Sequence, residues 1–192
     1  MNINYKVEKH ISNKQIAIGG VLLAIMIASQ FFKNMSVFIT GPIVNVVLII
    51  ATLTLGLTMG IILSIIAPIT AFLITAPVPP APMAVVPHLM IPAIAVGNII
   101  LCVCVYFFYK HVKKPFGLPC GLVIGSVLKA LFMGAVISNF ILVRFVTMPK
   151  PEALKLAQAT FSTTQLITAL IASAVVMLIW IPAGKFLLRE AK

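Results

Sequence analysis

The chain has 192 residues, of which 61% are hydrophobic and only 9% are charged, and its mean hydropathy is +1.18. These values lie far outside the range of soluble globular domains and are typical of an integral membrane protein in a lipid bilayer. The formal net charge of +11 does not indicate a nucleic-acid partner, because the basic residues are scattered between apolar runs and form no stripe or patch.

Acidic residues are almost absent, and none of them lies in an apolar run. Glu8, Glu152 and Glu190 are the only three in the chain. Proton relays, divalent-metal sites and paired-carboxylate catalysis inside a bilayer normally need buried acids. Cys102 and Cys104, two residues apart on a helix, cannot share a metal ion. We therefore expect no metal site, no cofactor and no enzyme, and favour a protein that binds a solute or passes it along.

Six apolar runs fill most of the sequence and predict one membrane domain over residues 1–192. The predicted helices are about 16–32, 42–57, 59–74, 92–109, 118–143 and 164–184. A spanning helix needs roughly 20 residues, so the second and third runs are short. They meet at residues 56–60, which contain two glycines and predict a tight turn, although the two runs could also form one bent span.

The distribution of basic residues favours separate second and third spans. With six spans and a cytoplasmic N-terminus, the cytoplasmic side carries Lys6, Lys9, Lys14, Lys110, Lys113, Lys114, Lys185, Arg189 and Lys192. The outer side then carries only Lys33, Arg144, Lys150 and Lys155. Merging the two runs would move residues 110–114 outside and break the positive-inside bias. The predicted fold is an all-α integral membrane protein with six transmembrane helices and both termini cytoplasmic.

Two long connections lie outside in this topology. Residues 75–92 contain six prolines, which predict extended and fairly stiff backbone without a helix. Residues 146–164 contain a short helical stretch at 152–159. The Ser162–Gln165 sequence that follows has the spacing of a capping box and predicts the start of the last helix.

Amide side chains from distant parts of the sequence fall at one depth in this topology. Those within about two turns of the outer helix ends are Asn45, Asn98, Asn139, Gln165 and Gln30. Such convergence predicts a solute-binding cavity open to the outside, to which His88 in the proline-rich connection could contribute. The alternative is that each amide reaches interfacial water or makes an interhelical hydrogen bond of under about 1 kcal/mol. His88 could equally be a solvated loop residue.

Lys129 lies near the middle of the fifth run, with no acidic residue in any span to pair with it. A charge at the bilayer centre costs roughly 2.5–3.5 kcal/mol on insertion scales. About eleven residues, or roughly 16 Å of helix, separate it from the cytoplasmic end, which is beyond the reach of its side chain. Three explanations remain for the Lys129 ammonium: it snorkels toward the interface, it bonds to backbone carbonyls, or it faces a cavity or ligand. An anionic group on the solute would explain Lys129 best.

Small residues repeat at every fourth position of the first helix, at Gly20, Ala24 and Ala28. Such a stripe permits close helix packing in lipid. It predicts either an internal packing face or a docking face for a partner membrane protein.

With these features the chain resembles the substrate-binding (S) components of energy-coupling factor transporters, which are bacterial importers of vitamins and related micronutrients. The resemblance covers nearly the whole chain. It is carried by the size, the six spans, the Gly41–Asn45 sequence GPIVN, the A-x-x-x-A of Ala24 and Ala28, and the Thr164–Ala169 sequence before the final span.

The resemblance implies a high-affinity site near the outer face and a multi-pass location in the bacterial cell membrane. It also implies association with a transmembrane coupling protein, contacted through Ala24 and Ala28, and with two cytoplasmic ATPases. The chain itself has no G-x-x-x-x-G-K-[ST] phosphate-binding loop. The alternatives are a small secondary transporter or an accessory membrane subunit. A membrane enzyme is disfavoured, since the three histidines are scattered.

Overall fold

The computed structural model describes residues 12–32, 36–75, 85–146 and 151–190, and all of its secondary structure is helical. The helices are α1 (Asn13–Gln30), α2 (Val37–Thr54), α3 (Leu57–Thr75), α4 (Pro87–His111), α5 (Gly117–Phe145), α6 (Pro151–Phe161) and α7 (Thr163–Glu190). Within α5, the α-helix Gly117–Met133 continues as a π-helical segment, Gly134–Ile141, and a last α-helical turn. The predicted all-α class is confirmed.

Five stretches of this part of the chain are long and apolar enough to cross a membrane. They are Val37–Thr54, Leu57–Ile74, Pro87–His111, Gly117–Phe145 and Pro151–Arg189. This is the pattern of a multi-pass membrane protein. The helix α1 has 18 residues but is not among the five, so the sixth span and the cytoplasmic location of the termini remain predictions.

The second and third apolar runs form two separate helices joined by a tight turn. α2 ends at Thr54 and α3 begins at Leu57. Gly56 in the turn has a φ of +96°, a backbone conformation that side-chain-bearing residues rarely adopt. Gly60, one turn into α3, packs directly against Thr52 of α2, so the two helices approach closely where they meet.

The prediction that residues 75–92 contain no helix is wrong at its C-terminal end, because α4 begins at Pro87 and includes Pro92. A proline at the first position of a helix costs nothing, since the N–H it lacks would have had no intrahelical partner. Pro92 lies in the second turn, where only one backbone hydrogen bond is lost. Residues 76–84 lie outside the described residues.

The predicted capping box at Ser162 does not form. Ser162 Oγ donates to the carbonyl of Gln158 at 2.7 Å, and Gln165 Nε2 donates to the carbonyl of Thr160 at 3.3 Å. Both side chains thus bond back into α6, because α6 continues to Phe161 and leaves its last carbonyls next to them. A capping box does form between Ser12 and Gln15 at the start of α1.

The closest helix pairing described is that of α4 with α5, and it depends on glycine at every fourth position of α5. These glycines are Gly117, Gly121 and Gly125. A Cβ added at Gly117 would lie 2.7 Å from the carbonyl oxygen of Phe108, and one at Gly121 would lie 3.1 Å from the Cα of Val105. The backbones therefore pack so closely that a side chain at these positions would require them to shift, which is the small-residue packing common between helices in lipid.

The helices run antiparallel in sequence order, which gives the bundle two distinct ends. At one, here called the cavity end, α1, α3 and α5 finish and α2, α4 and α7 begin, and α6 connects α5 with α7 there. The other, here called the basic end, carries the α2–α3 turn and residues 112–116. Apolar clusters fill the space between, one around Met133 and Ile137 near the cavity end, another around Leu48 and Leu63, and a third around Leu101.

The glycine packing generates a stability prediction. Gly121→Leu should lower the free energy of unfolding by about 1–3 kcal/mol, because the added side chain must push α4 and α5 apart. Gly20→Leu is the matched control, since nothing lies within 4 Å of a Cβ added there. The gain in helix propensity is the same at both sites. Unfolding of the purified protein in mixed detergent micelles measures the difference, and equal stability of the two variants would contradict the packing argument.

Candidate functional site

A cavity of about 120 Å³ lies inside the helix bundle toward the cavity end. Every helix from α1 to α7 contributes to its lining. The neutral polar side chains around it are Gln30, Thr40, Asn45, Asn98, Thr160 and Gln165. Between them lie apolar residues that include Val44, Ile94, Met133 and Phe161, and Lys129 is the one cation among the lining residues. The cavity thus has an apolar wall with a few convergent polar groups, which is the usual composition of a small-molecule site.

The Lys129 ammonium forms the polar floor of this cavity. Its Nζ donates to Asn45 Oδ1 at 2.6 Å and to Asn98 Oδ1 at 2.7 Å, and the residue is only 2% exposed. Both distances are short, as is typical of charge-assisted hydrogen bonds. The two amide oxygens provide the polar environment that a buried charge needs where no carboxylate is present.

The position of Lys129 follows from the glycine packing of α5. Lys129 is four residues beyond Gly125 and therefore continues the stripe of Gly117, Gly121 and Gly125 on the face that packs against α4. Across from it, Gly97 of α4 has no room for a side chain, since a Cβ there would lie 2.8 Å from Met133 Cγ and 3.8 Å from Lys129 Cγ. Close packing thus places the lysine stem against α4, beside Asn98.

Two buried polar atoms of the lining have no hydrogen-bond partner among the described residues: Asn45 Nδ2 and Gln30 Oε1. Their residues are 1% and 2% exposed. Gln30 Nε2 donates to the carbonyl of Ala67 at 3.0 Å and to Thr70 Oγ1 at 3.1 Å, which turns Oε1 away from α3. Buried polar atoms are nearly always paired, so each of these two marks a place where a bound group is expected.

The corner between α6 and α7 closes one side of the cavity with Thr160 and Phe161. α6 is attached to the π-helical segment of α5 by a reciprocal pair of hydrogen bonds: Ser138 Oγ donates to the carbonyl of Gln158 at 2.8 Å, and Gln158 Nε2 donates to the carbonyl of Ser138 at 3.0 Å. A π-helical turn is a common irregularity at functional sites. Here it presents the hydroxyl and the carbonyl of Ser138 to α6.

Four of the six predicted solute-binding residues lie together in the lining: Asn45, Asn98, Lys129 and Gln165. The other two lie elsewhere. His88 is an exposed residue in the first turn of α4, and Asn139 is exposed within the π-helical segment. The wider π-helical turns change the angular position of each residue, so that Ser138 is buried and Asn139 faces outward.

The predicted docking residues Gly20, Ala24 and Ala28 are all exposed on the outer face of α1. No described atom lies within 4 Å of a Cβ added at Gly20. The stripe therefore does not pack against the other described helices, and its docking to a partner protein stays a prediction. The packing stripe of this bundle is the one on α5.

Thr40, Thr160 and Phe161 are among the lining residues that no sequence pattern singled out. Thr40 precedes the Gly41–Pro42 pair, and its Oγ1 donates to the carbonyl of Ser29 at 3.2 Å, which joins the end of α1 to the start of α2. The glycine spacing of α5 is the signal that could have shown which face of that helix packs inward.

The polar groups of the lining are of types that can recognise a ligand. The described residues contain no group of three His, Cys, Asp or Glu side chains that could hold a metal ion. Among the lining residues there is a cation and a set of amides and hydroxyls, which orient a ligand through hydrogen bonds. No known protein family, no curated protein and no solved structure matches this chain. The site itself is therefore the basis for assigning a function.

The pairing of Lys129 with Asn98 can be measured by a double-mutant cycle. Asn98→Leu should destabilise the protein by about 1.5–3 kcal/mol, because it removes one of the two oxygens that the buried ammonium contacts. In a Lys129→Met background the same change should cost much less, since no charge is left to satisfy. Unfolding in mixed micelles gives both values.

Asn139→Leu is the matched control for that cycle, because Asn139 is an exposed amide on the same helix as Lys129. Its effect should be small and independent of the residue at position 129. Additive effects of Asn98→Leu and Lys129→Met would contradict the view that these two side chains stabilise one another.

Proposed function

We propose that this protein is the solute-binding membrane subunit of an energy-coupling factor importer in a bacterial cell membrane, with a vitamin or related micronutrient as its solute. The observation that carries the proposal is the cavity floored by Lys129, Asn45 and Asn98, because a cluster so costly to bury in a membrane bundle is expected to serve a ligand. The apolar wall with a few convergent polar groups also suits a small molecule.

The charges at the two ends of the bundle support an outward-facing cavity. The described basic residues of the basic end are Lys14, Lys110, Lys113, Lys114, Lys185 and Arg189, whereas the cavity end carries Arg144 and Lys155. Under the positive-inside rule the basic end is cytoplasmic. With six spans and both termini cytoplasmic, a solute would then reach the cavity from outside the cell.

Transport in this proposal depends on partner proteins. A transmembrane coupling protein docks on the exposed stripe Gly20, Ala24 and Ala28 of α1, where small side chains permit close approach of a second helix. Two cytoplasmic ATPases supply the energy, which agrees with the lack of a phosphate-binding loop in the sequence. The chain acts by binding and not as an enzyme, and nucleic acid has no part in its function.

The proposal is tested by uptake measurements in proteoliposomes. The chain reconstituted with the coupling protein and both ATPases should accumulate solute only in the presence of ATP. The chain alone should bind solute without accumulating it. Uptake by the chain alone, unaffected by ATP, would overturn the proposal in favour of a small secondary transporter. An accessory role would be indicated if neither preparation bound any solute.

The docking surface generates a separate prediction. Ala24→Leu combined with Ala28→Leu should leave solute binding unchanged and abolish ATP-dependent uptake, because the larger side chains separate α1 from the coupling protein. Ala174→Leu is the matched control, since Ala174 is an exposed alanine on α7. Co-purification of the coupling protein and uptake are measured together. Loss of solute binding in the double variant would contradict a role restricted to docking.

A further inference from the structure

We infer that the solute of this cavity is a small carboxylic acid of about single-ring size that also carries an N–H or O–H donor. This inference rests on the proposed solute-binding function and adds the chemical class of the solute. It follows from the orientation of three polar side chains, the size of the cavity and the charge of its floor.

The orientation of the floor amides is fixed by chemistry. A lysine ammonium can only donate hydrogen bonds, so both Asn45 and Asn98 must turn their oxygens toward it. The Nδ2 group of Asn45 is therefore not bonded to the ammonium, and it is the atom without a described partner. Asn45 Nδ2 is a donor, and the Lys129 ammonium beside its amide carries positive charge. Together they fit an acceptor with negative charge.

The orientation of Gln30 is fixed in the same way, but its atom without a described partner is an acceptor and not a donor. The carbonyl of Ala67 can only accept, so the Gln30 atom that contacts it must be Nε2 of the amide NH₂ group. Oε1 is then an acceptor without a described partner, in a residue that lines the same cavity. A solute that satisfies both orphan atoms must present an acceptor at the floor and a donor at Gln30.

The donors at the floor of the cavity fit a carboxylate better than a phosphate. One ammonium and one amide N–H₂ group match the two oxygens of a monoanionic carboxylate. A phosphate group carries more charge and three acceptor oxygens, which would need further donors. A cationic solute is excluded by Lys129, because no acidic residue lies in the lining to balance a second positive charge.

The cavity volume limits the body of the solute. About 120 Å³ is somewhat smaller than an engineered cavity of about 150 Å³ that binds benzene. A body of about one ring matches this space. The apolar walls formed by Val44, Ile94, Met133 and Phe161 favour a flat or aliphatic body between the two polar ends.

Small molecules released from the purified full-length protein by denaturation, identified by mass spectrometry, test the inference. Wild type should release one near-stoichiometric metabolite that contains a carboxylate and a donor group. With that metabolite as the titrant, Lys129→Met should raise the Kd by at least about tenfold, and Gln30→Leu by up to about tenfold. Asn139→Ala is the control and should bind as wild type does.

Lys129→Gln serves if Lys129→Met does not fold, because glutamine still donates to the two amide oxygens but carries no charge. It should also weaken binding by at least about tenfold. Unchanged affinity in both folded variants would overturn the inference. A stoichiometric metabolite without an anionic group would overturn it too, while leaving the proposed solute-binding function intact.

If wild type releases nothing, 4-aminobenzoate, 4-aminobenzamide and benzoate are compared as probes by thermal shift. Stabilisation that is largest for 4-aminobenzoate and absent in the Lys129 variants would support the inference. No Lys129-dependent response to either acid would overturn the inference, while the uptake measurements in proteoliposomes test the proposed function separately. Uptake of a bound acid by the chain alone would instead overturn only the proposed coupling to ATPases.

Discussion

A single buried ammonium without a carboxylate to balance it is the constraint on which the arrangement of this bundle depends. Lys129 is 2% exposed, and it is held by amide oxygens from two other helices. α2, α4 and α5 must therefore keep a fixed distance and rotation, because a displacement would leave the charge without its partners. The glycines of α5 and Gly97 of α4 make this distance possible. The close contact between α4 and α5 thus determines both the helix packing and the position of the ammonium.

The composition and periodicity of the sequence were enough to predict the helical class and most of the cavity floor. Asn45, Asn98, Lys129 and Gln165 could be grouped because amides and charges are rare in apolar helices, so their depths alone indicated a common site. His88 and Asn139 could not be placed by depth. His88 lies in the first turn of a helix, where the prolines had predicted a loop. Asn139 lies in a π-helical segment, which spacing rules based on 3.6 residues per turn do not anticipate.

Stripes of small residues look alike in the sequence, although their surroundings differ. Gly20, Ala24 and Ala28 of α1 face away from the described helices, whereas Gly117, Gly121 and Gly125 of α5 lie against α4. The spacing indicates that another helix can approach closely, but it does not identify that helix. Only the positions of the neighbouring helices distinguish internal packing from a surface that is open to another chain.

If the cavity is the proposed solute site, the pairing of Lys129 with two amide oxygens has a consequence for selectivity. The ammonium can donate three hydrogen bonds and has two oxygen partners, so one donor remains for an acceptor on the solute. A simple anion such as chloride can take that donor but cannot donate to Gln30 Oε1. Discrimination among anions then depends on Asn45 Nδ2 and Gln30 Oε1, the atoms that have no described partner. The charge of Lys129 favours an anion, and the positions of these two atoms favour one arrangement of donors and acceptors over another.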